Sequence, residues 1–484
     1  MLLNLSLSNN FEYLKINKKI ISYCIDSGLI LSICVWHLSR GYKMKRIILF
    51  LSFFIIALDF SYAQLDLLSA GPLVGYSAMR EVAIWVQTTD EAEVHIEYWN
   101  VNNKNDRFTT KTETTYEDDA YTAKLIADEV EPGQKYNYEL YINDIKVERP
   151  YPLQFQTQKL WQWREDPPEF SFITGSCLYI NEPQYDRPGT PYGSDYEILK
   201  SIYQKHPDFI VWLGDNLYLR EADWDSWTGI IKRYTHDRAF DLLQPIFGSI
   251  HNYAIWDDHD YGPDNSDRSF WNKDDTYRAF QLFWPNPSFG INGNPGITTY
   301  FQWADCDFYL MDDRYYRSPD KLEDSDKQML GDEQIEWLID AMSTSEAPFK
   351  FVCIGGQVLN PAGKGETYYE FPAEKKKLLD KIKQAGIKGV IFLTGDRHHS
   401  EISKLDREGT YPLYDFTISS FTAGISPGKN EANTLRVPGT LSDQHNFAKI
   451  TISGKSKNRV LKCVDYDKDG KQLWEYTINE NELK

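Results

Sequence analysis

Apolar positions along the chain follow one rhythm before residue 160 and another after residue 170. Between Gly71 and Thr157 they form short alternating runs at residues 82–86, 94–98, 121–125, 136–141 and 153–157. Period-two alternation, broken by turn residues such as Pro132-Gly133, predicts the strands of a β-sandwich, and we read residues 64–160 as a fibronectin type III-like module. From Phe170 onward short apolar runs alternate with helical stretches at residues 196–206, 276–284, 333–343 and 373–385, the first stopped by Pro207 and the last closed by Gly386. That alternation predicts an α/β layered domain over residues 166–484, with the charged, proline-bearing segment 161–168 as linker. Strands return at residues 447–452, 459–466 and 472–478. Asp465 to Gly470 has the oxygen-rich spacing of a calcium loop, but its twelfth position is Tyr476 and its flanks are strand-like, so a hairpin turn at Asp469-Gly470 is the expectation.

Four of the apolar runs end in the same manner, in side chains that favour metals or phosphate. They lead into Gly175-Ser176-Cys177, Gly214-Asp215-Asn216-Leu217-Tyr218, Asp257-Asp258-His259-Asp260 and Gly395-Asp396-Arg397-His398-His399. Ligands of open α/β sheets sit beyond the carboxyl ends of strands, so four such endings can converge on one place.

Composition narrows the possible functions. At 484 residues, 42% hydrophobic and 15% aromatic, the chain has material for more than one core, so it is not a disordered protein. A net charge of -19 without a basic patch disfavours long nucleic acid as a partner, whereas a small phosphate ester can still enter a cleft whose charge is set by bound cations. Residues 44–63 have the basic start, apolar middle and small-residue end of a signal peptide, placing the mature start at Gln64 and the protein in the periplasm or outside the cell. Residues 1–43 then read as a spurious upstream extension, and no membrane span is expected once the signal is removed. Of the four remaining cysteines, Cys306, Cys353 and Cys463 lie in strand-like runs as small hydrophobes, while Cys177 stands at a strand end.

The chemistry of the endings is specific. Three carboxylates and an imidazole within Asp257–Asp260 repel one another unless solvent or a cation neutralises them. Asp215 can bridge two cations, the Tyr218 phenolate suits a ferric ion, and the Cys177 thiolate prefers iron or zinc over calcium. The chain holds only 9 histidines, so an adjacent pair at a strand end signals a site. Thiolate, phenolate, carboxylates and imidazole together make up a two-metal hydrolytic centre.

In order and identity these motifs, with Trp256-Asp257-Asp258-His259-Asp260, Met311-Asp312-Asp313-Arg314-Tyr315-Tyr316-Arg317 and Asn446-Phe447, resemble the PhoD-like (alkaline phosphatase D) family of calcineurin-like metallophosphatases. The resemblance runs from Gly71 to the C-terminus. It implies a layered metallophosphatase β-sandwich flanked by helices, holding Fe3+ and Ca2+ or other divalent metals in their place. Cys177, Asp215, Tyr218 and His398 would hold iron, and Asp258 and Asp396 would face calcium, with Asp215 shared. His259 would contact phosphate or protonate the leaving group. Either Asp264 or Asn265 takes the role of a family asparagine, and Asn265 is our choice as ligand. Arg314 and Arg397 either touch substrate phosphate or form salt bridges with nearby aspartates. Gly355-Gly356-Gln357 stands where the superfamily carries a histidine. The implied activity is an exported, monomeric phosphoesterase hydrolysing phosphate monoesters or diesters through a metal-bound hydroxide. The alternatives are a phosphodiesterase or phospholipase D-like enzyme and, from another class, a surface binding protein with a relic metallophosphatase domain.

Overall fold

A computed structural model describes residues 67–324 and 326–484. The expected extension 1–43 and signal peptide 44–63 lie outside the described residues. Among the described residues nine strands precede the α/β region: β1 (Leu68–Ser77), β2 (Val82–Thr88), β3 (Ala92–Asn100), β4 (Arg107–Thr109), β5 (Glu113–Thr115), β6 (Thr122–Ala127), β7 (Lys135–Ile142), β8 (Ile145–Val147) and β9 (Gln154–Gln156). They form a three-stranded sheet, β1-β2-β6, and a second sheet, β4-β3-β7-β8, to which β5 and β9 add by pairing with β3 and β7. The sequence pattern gives no sign of β1, because its pairing with β2 shifts register three times and so breaks the alternation.

Two six-stranded sheets follow. One has the order β12 (His251–Ile255), β11 (Phe209–Leu213), β10 (Phe170–Gly175), β19 (Asn446–Ser453), β20 (Val460–Asp467), β21 (Gln472–Asn479). The other runs β13 (Thr299–Trp303), β14 (Cys306–Leu310), β15 (Lys350–Ile354), β16 (Val390–Thr394), β18 (Leu413–Thr417), β17 (Glu401–Leu405). Within the first sheet β10, β11 and β12 are parallel, and within the second β14, β15, β16 and β18 are parallel. Parallel pairs need crossovers, and the helices Glu197–Gln204, Trp227–Arg238, Gln244–Ser249, Asp332–Thr344 and Pro372–Gln384 lie in them. The sheets face each other across phenylalanines: Phe172 of β10 meets Phe308 and Phe351 edge-on at 5.2 and 5.3 Å, and Phe209 of β11 meets Phe301 at 5.7 Å. This is the layered α/β arrangement expected from the pattern. The C-terminal strands extend it, since β19 pairs antiparallel with β10.

The calcium-like run is a hairpin turn between β20 and β21, where the Asp467 carboxylate accepts the N–H groups of Asp469 and Lys471. Cys306, Cys353 and Cys463 are buried and free, as their strand positions suggest.

Leu68–Lys484 form one compact unit, so the first nine strands pack directly on the rest. Trp85 donates its indole N–H to the Leu282 carbonyl at 2.8 Å, and Tyr138 its hydroxyl to the Gly248 carbonyl at 2.9 Å. His251 stands in this seam, its Nδ1 at 2.7 Å from the Gly75 carbonyl and its Nε2 accepting the Gln156 N–H at 3.1 Å. One ring nitrogen must donate and the other accept, which only neutral imidazole does. Burial depresses its pKa to about 4. Between the ordinary value near 6.5 and pH 4, the unfolded chain therefore binds a proton that the folded chain refuses. Stability present above pH 6.5 is lost as pH falls, by up to about 1.4 kcal/mol per pH unit from this group. Urea unfolding at a series of pH values should show that slope in the wild type, and a shallower one in His251→Gln.

Candidate metal centre

Because β10, β11 and β12 run parallel and in register, their carboxyl ends lie side by side, and β16 of the facing sheet ends against them. Small residues permit the approach. A Cβ on Gly214, already in the left-handed region at φ +88°, would lie 2.6 Å from the Asp257 Cβ. One on Gly395 would lie 2.6 Å from the Ser176 hydroxyl. The chain then turns sharply: Cys177, Asp215, Asp396 and His398 all have φ between 51° and 62°. Side chains other than glycine rarely adopt that region, and such outliers concentrate where the surrounding structure enforces them for function.

Three groups of potential ligand atoms result, the atoms of each within 4.8 Å of one another: Cys177, Asp215 and His398; Asp215, Asp258 and His259; and Asp257, Asp258 and Asp396. Tyr218 joins the first group, its hydroxyl 2.9 Å from Asp215 Oδ2 and 3.5 Å from His398 Nε2. The four strand endings thus meet, and Cys177, Asp215, Tyr218, Asp258, His259, Asp396 and His398 come together. Asp215 belongs to two groups, at the junction between them.

Burial and charge act against one another here. Burial, Asp258 and the Cys177 sulfur push the Asp215 carboxyl far above its ordinary range. Burial likewise raises Asp396, and raises Asp257 in spite of the adjacent Arg314. Cys177 is pushed up to about 12 by burial, against the hydroxyls of Ser176 and Ser419, the latter 3.1 Å from the sulfur. Asp258 goes the other way: burial is outweighed by His259, Arg314 and the Asn265 N–H, and the carboxyl is held at about 2. Converging carboxylates, a thiol and a phenol crowded out of water are the donor set that a pair of cations would neutralise, so these residues fit metal ions.

Of the two alternatives for Arg314 and Arg397, the structure shows ion pairs with acidic neighbours. The exposed Asn265 turns its amide to Asp264 at 2.8 Å and offers Asp258 its backbone N–H at 2.8 Å. Arg314 is wholly buried and bonds Asp257, with Glu366 at 2.5 Å and Asp258 at 3.8 Å. Arg397 pairs with Glu431 at 2.5 Å and lies 4.0 Å from Asp396. Of the adjacent histidines only His398 enters the cluster, while His399 is buried with its Nδ1 3.0 Å from the Ser426 carbonyl. Gln357 is also buried, donating to Glu401 and Thr417 at 2.9 Å each. Asp260 accepts N–H groups from Asn216 and Asp257 and so ties two of the endings together. Glu366 did not stand out in the sequence; the only trace of it is the Gly363-Lys364-Gly365-Glu366 turn, whose two glycines have positive φ.

A model of the PhoD-like phosphatase family matches residues 176–480. The chain belongs to the PhoD-like phosphatase family. A domain of unknown function (DUF7800) matches residues 66–160 of this PhoD-like chain. Alkaline phosphatase D of Bacillus subtilis (strain 168) is 22% identical over 372 residues, 66% of this chain and 61% of that protein, so the match spans less than two thirds of that relative. Among solved structures, PhoD superposes with a TM-score of 0.69 at 17% identity over 85% of this chain and 90% of that one. Purple acid phosphatase PPD1 from yellow lupin (Lupinus luteus) seeds gives 0.63 at 13% identity over 84% and 74%. Both share the metallophosphatase fold with this PhoD-like chain.

The buried Arg314 gives this site its test. Removing one partner of a buried ion pair leaves uncompensated charge, at a cost of about 3–5 kcal/mol. Arg314→Met should lower unfolding stability in denaturant by that order. Arg314→Lys should recover only part, because a point charge cannot serve Asp257 and Glu366 as the planar fork does.

Proposed function

We propose that this chain is an exported metal-dependent phosphoesterase that releases an alcohol from a phosphate monoester or diester. The observation that carries the reading is the sharing of Asp215 between two donor groups of different chemistry. Cys177, Asp215, Tyr218 and His398 would hold Fe3+; Asp258 and Asp396, with Asp215, would hold Ca2+. Bound there, the pair would neutralise phosphoryl oxygens and acidify a water.

The chain's own groups complete the chemistry. His259 stands at the edge of the cluster, 19% exposed, its ring centroid 4.1 Å from that of Tyr218 and its Nε2 3.7 Å from Asp258 Oδ2. From that place Nε2 can hold a phosphoryl oxygen or hand its proton to the departing alkoxide. Arg314 and Arg397 act as positioning residues, the first behind Asp257 and Asp258, the second beside Asp396. Residues 64–160, read as a fibronectin type III-like module, support residues 166–484, and the signal peptide at 44–63 directs the protein out of the cytoplasm. N-terminal sequencing of exported protein should give Gln64.

The purified, metal-reconstituted enzyme should cleave an aryl phosphate or a bis-aryl phosphate, the ratio of the two rates setting monoester against diester preference. Asp215→Ala should lower kcat/KM by on the order of 1000-fold, about 4 kcal/mol of transition-state stabilisation. Cys177→Ala and Tyr218→Phe should lose iron in elemental analysis, together with any visible absorption of a ferric thiolate-tyrosinate site. Retained activity in Asp215→Ala overturns the proposal, and a wild type without tightly held metal revives the binding-protein reading.

A further inference from the structure

A cavity of about 360 Å³ opens beside the metal-ligand cluster, sharing Tyr218 and His259 with it. Its other walls include Tyr179, Tyr192, Trp224 and Pro188. The rings form a continuous array. Tyr179 packs on Tyr218 at 4.9 Å and on Tyr192 edge-on at 5.0 Å, and Tyr218 continues to His259 at 4.1 Å.

Buried electrostatics hold this wall in place. The Arg220 guanidinium lies 3.9 Å from the centre of the Tyr179 ring, with Asp186 at 2.9 Å and the Ile180 carbonyl at 2.7 Å. The cations that border the cavity have partners, Arg220 in Asp186 and Arg187 in Glu221 at 3.2 Å. A third carboxylate, Asp264, lies 3.6 Å from His259. An added phosphate would therefore meet paired cations and an extra negative charge. Flat aromatic surfaces and a volume of this size suit instead an uncharged planar group.

Resting on the phosphoesterase reading, we propose that this cavity binds the alcohol half of the ester, and that this half carries an uncharged aromatic ring, as an aryl group or a nucleobase. Phosphate at the metal centre and the ring among Tyr179, Tyr192 and Trp224 then define the substrate class. Aliphatic phosphates fill the phosphate position alone, and pyrophosphate places charge where the cavity has no free cation.

Four substrates separate the alternatives: 4-nitrophenyl phosphate, adenosine 5′-monophosphate, glycerol phosphate and pyrophosphate. A ring stacked on aromatic side chains contributes about 1–3 kcal/mol, roughly 5- to 150-fold. Adenosine 5′-monophosphate, an alkyl ester like glycerol phosphate, should exceed it in kcat/KM by that factor where the ring is a base; for 4-nitrophenyl phosphate, whose leaving group alone speeds cleavage, the ring is read in a KM lower than that of glycerol phosphate by the same factor. Trp224→Ala should raise KM for the preferred substrate about 10-fold and change glycerol phosphate less than 2-fold, and Trp224→Phe should restore it. Thr190→Trp, on an exposed part of the rim, should fill the cavity and act likewise without changing Tm. Equal kcat/KM on adenosine 5′-monophosphate and glycerol phosphate together with an equal KM for the aryl ester, or equal loss on all substrates in Thr190→Trp, overturns the assignment and leaves the phosphoesterase reading standing. A wild type inactive on all four overturns that reading instead. Calorimetry of 4-nitrophenol and adenosine with the protein as purified then decides the cavity: binding lost in Thr190→Trp upholds it, and no binding at millimolar ligand overturns it.

Discussion

Five aspartates, Asp215, Asp257, Asp258, Asp260 and Asp396, share a small volume largely closed to water, and the repulsion among them sets the terms for everything nearby. At the 4.8 Å that bounds each donor group, two ionised carboxylates repel by roughly 3 kcal/mol even in a medium of effective dielectric 20. The chain offsets this unevenly. Arg314 is a buried cation among them, bonded to Asp257 and within 3.8 Å of Asp258, and Arg397 lies beside Asp396 at 4.0 Å. Asp260 is relieved by N–H groups from Asn216 and Asp257, yet burial still pushes it up to about 7. Asp396 has Arg397 beside it, and Asp215 accepts the Tyr218 hydroxyl at 2.9 Å and the His259 N–H at 3.3 Å, yet burial still raises both, and theirs are positions where donor groups from different strands meet.

Carboxylates that repel one another stay together only on a frame that cannot yield. Each of the four strands ends two to five residues before its functional side chains, and four of those side chains are carried on backbone in the left-handed region. Each such residue costs on the order of 1–2 kcal/mol. The opposing force comes from two sheets locked through stacked and edge-on phenylalanines, with the Phe172 and Phe209 centroids 5.0 Å apart in one sheet and those of Phe308 and Phe351 4.8 Å apart in the other. Dense packing transmits strain rather than absorbing it, so the sandwich core and the turns at its edge form one mechanical system.

What could be read from the sequence follows from this arrangement. Parallel strands are short apolar runs, so their ends, and the reactive residues after them, are visible without knowledge of the fold. Helices that bury charge are not. Trp227–Arg238 places Arg233 at the centre of a network with Glu182, Asp223 and Asp237, and stacks Arg238 3.9 Å from the centre of the Trp284 ring, so its inward face lacks the apolar period that marks a helix. The same blindness applies around the centre. Residue type alone does not distinguish His398 from His399, which only the family resemblance separates, because the choice depends on which ring faces Cys177 and Asp215 and which faces Ser426. Glu366 comes from a loop remote in sequence, and its pairing with Arg314 exists only once β14 and the segment after β15 are side by side.

The two halves of the donor set also differ in the charge they offer before a cation arrives. Asp258 is held ionised at a pKa of about 2 by His259, Arg314 and the Asn265 N–H, in spite of its burial. The opposite side is made of a thiol raised to about 12 and a phenol raised well above its ordinary value, both by burial before any other influence. A cation entering beside Asp258 would meet charge already present there. One entering beside Cys177 and Tyr218 would have to displace protons to gain its ligands. The asymmetry therefore lies in how the fold buries its donors as well as in which donors it carries, and Asp215, shared by both groups, couples the two protonation states.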